Sequence, residues 1–140
     1  TLTIIGPLTS AQKKTLGHYQ IKYENHVGLS RLALLAQYVE ADLLMFVSTY
    51  EGFGLPIIEG NAVGRPVITS ALEPMSDVAA DAACLVDPYD ANAIRAGLMR
   101  VITDDSYRKA MIFAGYRNAQ RFRASVVAAR YAEIYRKIAQ

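Results

Sequence analysis

Three short apolar runs fix what this chain can become. Leu43–Val47 reads LLMFV, Pro66–Thr69 reads PVIT and Ala83–Val86 reads ACLV. None of them alternates apolar with polar residues, as a strand with one wet face would. Unalternating runs of this length suit strands buried on both faces, in a parallel sheet with helices on each side. The segments between them supply such helices. One is predicted over 56–63, with Pro56 in its first turn, where the missing N–H is no loss. A shorter one is predicted near 75–80. After Asp90 the period becomes helical: Asp90 and Asp104 are N-caps, each opening a helix, and a last helix covers 124–138.

The N-terminal part follows the same alternation. Leu2–Ile5 predicts a strand, stopped by Gly6-Pro7. Residues 9–16, TSAQKKTL, predict a capped helix. Gln20–Tyr23 predicts a second strand and Glu24–Gly28 a turn. Ser30 caps a helix over 31–41 that turns Leu32, Leu35, Ala36 and Val39 to one face. Strands alternating with helices define an α/β class, a Rossmann-like doubly wound parallel sheet with a C-terminal helical tail.

Composition narrows the function classes. A chain of 140 residues fits one domain. A formal net charge of +2 gives no electrostatic case for nucleic acid. No apolar run reaches the ~18 residues that a membrane span needs. The one cysteine, Cys84, sits in AACLVD and reads as a buried strand thiol; it cannot form an internal disulfide, so a reducing compartment is allowed but not proven, and a cytoplasmic location is a separate expectation. The chain starts at Thr1 and enters LTIIG at once, the expected look of a piece of a longer protein. The last stretch carries Arg117, Arg121, Arg123, Arg130, Arg136 and Lys137 against Glu133. These read first as solvated helix faces, and second as a surface for a partner or for the inner face of an anionic membrane.

The segment Ser48–Ser70, STYEGFGLPIIEGNAVGRPVITS, carries the chemistry. Its loop follows a buried strand, and in open α/β sheets ligands bind at the C-terminal ends of strands. Gly52 and Gly54 let backbone approach a ligand. N–H groups near Gly54, Leu55 and Ile57 face out of a helix N-terminus, which favours an anion such as phosphate. Glu51 in the loop and Glu59 one turn into the helix repel phosphate but accept hydrogen bonds from vicinal hydroxyls. One ligand with both phosphate and sugar hydroxyls, a nucleotide sugar, fits that set. The bland alternative is a solvated glutamate beside two turn glycines.

E-G-F-G-L-P-x-x-E followed by G-R-P-V-I-T-S resembles the signature of the retaining, nucleotide-sugar-dependent glycosyltransferases called group 1 or family 4, which have the two-domain GT-B architecture. AQYVEADLLMFVSTYEGFGLP, DVAADAACLVDPYDANAI and RFRASVVAARYAEIYRKI are similar to further segments of that family. The first 30 residues resemble it loosely. The resemblance implies that Glu59 binds the ribose hydroxyls and that Glu51 lies against the donor sugar and stabilises the reacting centre. Backbone N–H groups of Phe53, Gly54 and Leu55 would face the sugar and diphosphate. Asn25, His26, Val27 and Gly28 would border the base, mainly through backbone. Hexose transfer with retention, without a metal or other cofactor, is the implied reaction. There is no Asp-x-Asp, and Asp104-Asp105 reads as a helix cap.

The resemblance also implies absences. An arginine and a lysine on the diphosphate come from a strand–loop–helix segment preceding Thr1, and an N-terminal domain binds the acceptor. In the sheet order 3-2-1-4-5-6 strand 1 would then be missing at the centre. Pairing across the gap, a dimer or strand exchange, or a partner chain filling it are the expected outcomes. Two rivals stand beside this reading: a non-catalytic nucleotide-sugar-binding module, and a flavodoxin-like interaction domain without a sugar ligand.

Overall fold

The computed structural model describes residues 1–139, which fall into two compact units, Thr1–Gln37 and the chain from Tyr38 onward. In the first unit β1 (Leu2–Ile5) lies parallel to β2 (Tyr23–His26), in the register Leu2 to Tyr23 through Ile5 to His26. Between them runs α1 (Ser10–His18), opened by a capping box. Gln12 N–H donates to the Thr9 hydroxyl at 3.2 Å, and Thr9 N–H to the Gln12 side chain at 2.9 Å.

Strand β2 lies three residues beyond the predicted Gln20–Tyr23. Gln20 and Ile21 instead close the end of α1, with Ile21 N–H on the Leu16 carbonyl at 2.9 Å. The true strand, YENH, has almost no β-forming pattern. It is held by its ladder and by the Asn25 amide, which donates to the carbonyls of Ile4 at 3.0 Å and Gly6 at 2.7 Å. Residues 24–26, predicted to turn, are therefore strand.

Helix α2 (Arg31–Glu40) begins as predicted, with Ala33 N–H on the Ser30 hydroxyl at 3.2 Å. Its apolar face does not behave as the pattern implies. Leu32, Leu35 and Val39 are 79%, 45% and 52% exposed, while Tyr38 is the buried residue. The stripe is amphipathic, but no described element seals it.

The second unit holds a parallel sheet in the order β3 (Leu44–Phe46), β4 (Val67–Ser70), β5 (Cys84–Val86). Around it lie α3 (Leu55–Ala62), α4 (Met75–Ala79), α5 (Ala91–Thr103) and α6 (Asp105–Gln120). Helix α7 (Ala124–Ile138) follows, with no buried residue. Every β4 residue is buried, and its alternation splits the core. Val67 joins Ile57, Met75, Val78 and Ala79 on one face, while Ile68 joins Cys84, Val86, Val101 and Met111 on the other. This is the two-sided burial that the unalternating runs demand, and it gives Cys84 the inert core position read for it.

Among the described residues no ladder joins β1–β2 to β3–β4–β5, so direct pairing across the expected gap is not the outcome seen. Both helix caps on the C-terminal side are as read. Asp90 accepts from Asn92 N–H at 2.8 Å, and Asp104 accepts from Tyr107 N–H at 2.9 Å. That backbone bond, followed by the Ser106 hydroxyl, holds the Asp104 carboxyl below its ordinary range. Asp105 pairs with Arg108 and Lys109, each at 2.6 Å.

Gly97 shows how tightly α5 lies on β5. A Cβ there would stand 2.6 Å from Val86 Cγ1 and 3.2 Å from Cys84 Sγ. Gly97→Ala is therefore expected to destabilise by about 1–2 kcal/mol, because a 2.6 Å contact calls for overpacking of ~2–3 kcal/mol, the upper part of the usual range, against the ~1 kcal/mol gained in helix propensity. Urea unfolding checks this, and a variant as stable as the parent would contradict it.

Candidate functional site

The site is built where β3 ends. Two buried hydroxyls on β4 fasten the chain that leaves it: Thr69 Oγ1 donates to the Phe46 carbonyl at 2.7 Å, and Ser70 Oγ donates to the Ser48 carbonyl. The loop 47–54 thus departs from a strand end fixed by side chains as well as by the ladder. Glu51, half-buried in that loop, accepts a hydrogen bond from Ser48 Oγ at 2.7 Å.

Gly54 is the N-cap of α3 at φ 104°, ψ 43°, a backbone conformation that disfavours any side chain. A Cβ there would also meet Ile57 Cδ1 at 3.1 Å. A Cβ at Gly52 would meet nothing within 4 Å, so that side of the loop is open. Phe53, 42% exposed, sets its edge against Phe122 with ring centroids 5.7 Å apart, and Phe122 packs on the Ile57–Met75 core. An aromatic contact thereby anchors the loop to the unit's core.

One expectation about the helix start is corrected. The Ile57 N–H donates to the Gly54 carbonyl at 3.0 Å, closing the first turn, and Pro56 has no N–H. Of the two residues before Pro56, Gly54 is buried and Leu55 is 60% exposed.

Glu59 lies in the second turn of α3, half-buried, where its Oε2 accepts from the Tyr38 hydroxyl at 3.0 Å. Burial first, then the Glu59 carboxylate, pushes the Tyr38 hydroxyl well above the ordinary tyrosine range. The two glutamates are both carried by the β3–loop–α3 segment, each accepting from a protein hydroxyl.

The residues expected to border a base belong to the first unit. Asn25 and His26 are strand, not loop, and the Asn25 amide is engaged on the Ile4 and Gly6 carbonyls. His26 Nε2 stands 3.6 Å from Glu24 Oε2, beyond hydrogen-bonding reach. Val27 is 62% exposed and Gly28 takes φ 69°. Sequence reasoning singled out neither Tyr38, Ser48, Thr69, Ser70 nor Phe122. Only the polarity of Thr69 and Ser70 beside an otherwise apolar buried run signalled a special role.

In open α/β sheets of this kind ligands bind at the C-terminal ends of the strands, where the loop 47–54 lies. The family profile described as Glycosyl transferases group 1 matches residues 1–118, and the chain belongs to that family. It is 36% identical over 102 residues to the O-antigen chain mannosyltransferase B of Escherichia coli, covering 73% of this chain and 26% of that protein. The fold is that of GT-B glycosyltransferases. Sucrose-phosphate synthase from Thermosynechococcus elongatus superposes with a TM-score of 0.82 at 24% identity, over 98% of this chain and 38% of that one. HepE of Anabaena, in complex with UDP and glucose, gives 0.77 at 18% identity, over 98% of this chain and 40% of that one. The chain spans about a quarter of the length of the curated relatives it matches. The profile includes the loosely resembling N-terminal stretch and stops before α7, which the fold comparisons include.

Proposed function

We propose that this chain is the donor-binding part of a retaining glycosyltransferase that moves a hexose from a nucleoside diphosphate sugar to an acceptor bound by another domain. The observation that carries the reading is the Glu51–Glu59 segment. It presents two half-buried carboxylates, each accepting from a protein hydroxyl, on either side of a left-handed glycine that opens a helix. Carboxylates so held would accept from sugar hydroxyls, and the N-terminus of α3 at Gly54 and Leu55 would favour phosphate. Family membership supports the transfer chemistry, and HepE, a fold neighbour, binds UDP and glucose.

In this reading Glu59 takes the ribose hydroxyls, and Glu51 faces the donor sugar beside the open flank of Gly52. Asn25–Gly28 border the base through backbone. Charge neutralisation on the leaving diphosphate would come from basic side chains and a helix N-terminus, with no metal or other cofactor. The chain by itself would not turn over, and the enzyme would work in the cytoplasm, in solution or at the membrane's inner face.

Saturation-transfer NMR with UDP-, GDP-, ADP- and dTDP-sugars, on the whole natural polypeptide, tests this reading. One of the four is expected to receive saturation on both ribose and hexose protons. No transfer to any of them would sink it. Binding without turnover on any acceptor would favour the non-catalytic binding module.

A further inference from the structure

We propose that Tyr38 is a positioning residue for Glu59: its hydroxyl, held on α2, sets the plane of the carboxylate that receives the nucleotide's ribose. The inference rests on the donor-site reading of Glu59 and adds a residue that reading does not contain.

The geometry supports a directed role. Tyr38 is the one buried residue of α2, at 9% exposure, and its hydroxyl reaches Glu59 Oε2 at 3.0 Å across 21 positions of sequence. Phenylalanine would fill the same space without bringing a polar group into it. A buried hydroxyl is unfavourable unless bonded, so this site keeps an oxygen whose partner is a single carboxylate atom.

A glutamate needs such a partner. Its last torsion is broad and nearly two-fold, so a half-buried carboxylate samples many planes. Binding a vicinal diol bidentately requires one plane, and ordering it at the moment of binding weakens affinity. A hydroxyl on a neighbouring helix sets that plane beforehand. A hydroxyl also has one proton to give, so it holds Oε2 through a single lone pair of the carboxylate. Ser48 stands in the same relation to Glu51, donating to Oε1 at 2.7 Å, but from three residues away. For Glu59 the donor is remote, and the link between two helices is what makes the contact specific.

The test is a double-mutant cycle on the whole natural polypeptide. UDP, GDP, ADP and dTDP are titrated calorimetrically, and the tightest binder is the probe. Tyr38→Phe is expected to raise its Kd about tenfold, the scale of one hydrogen bond to a charged group. In the Glu59→Ala background the same substitution is expected to change Kd less than about twofold, because no carboxylate is left to orient. Equal weakening in both backgrounds would make Tyr38 a packing residue and overturn the proposal. So would a Tyr38→Phe variant that binds like wild type while Glu59→Ala binds weakly. If Glu59→Ala itself leaves affinity unchanged, the donor-site reading fails and this proposal falls with it.

Discussion

Replacing Glu51 by Gln in the whole natural polypeptide is expected to lower kcat of the proposed transfer about 10²–10³-fold while the donor KM moves less than about threefold. Glutamine has nearly the shape of glutamate and keeps an oxygen to accept from Ser48 Oγ, now 2.7 Å from the carboxylate. What it loses is the negative charge. Glycosyl transfer passes through an oxocarbenium-like state, in which positive charge grows at the anomeric carbon. In the proposed reading a carboxylate already ordered by Ser48, on a loop fastened by Thr69 and Ser70, would meet that charge without reorganising. The effect then falls on turnover, since the ground state carries little of the charge. Steady-state kinetics decides it. A raised KM with kcat retained would make Glu51 a ground-state binding residue.

Asn118→Leu is expected to cost about 3 kcal/mol or more and to lower the unfolding midpoint by about 10 °C or more. Asn118 is 3% exposed and Asn61 is 1% exposed. The Asn118 amide donates to Asn61 Oδ1 and to the Val78 carbonyl, both at 2.9 Å, while its own oxygen accepts from Arg121 at 2.7 Å. Asn61 in turn donates to the Ala82 carbonyl at 3.2 Å. One side chain thus ties α6 to α3 and α4. Leucine leaves two buried acceptors without donors, each costing about 1–3 kcal/mol, in a volume it nearly fills. Thermal and urea unfolding check it. A loss under about 1 kcal/mol would show that the network adds no net stability. Because α3 carries Glu59, the same variant is expected to loosen nucleotide binding as well.

Much of the second unit was legible from sequence because its signals are local. Unalternating apolar runs gave β3, β4 and β5, and Asp90 and Asp104 gave the starts of α5 and α6. Strand β2 was not legible, since Tyr-Glu-Asn-His carries no strand pattern and owes its state to β1 and the Asn25 amide. The face of α2 shows the opposite failure: a clear stripe through Leu32, Leu35 and Val39 that no described element seals. Glu51 and Glu59 could be read as a pair from spacing and motif. Their supports could not, because the Tyr38 bond spans 21 positions and the Thr69 bond spans 23. No periodicity encodes contacts of that range.

The account turns on Glu59 holding a nucleotide. The most direct test is the dissociation constant of the nucleoside diphosphate selected by the NMR panel, measured by calorimetry for the whole polypeptide and for Glu59→Ala. The account predicts at least tenfold weaker binding in the variant, the loss of charge-assisted bonds to a ribose diol. Equal affinity in the two proteins would contradict it.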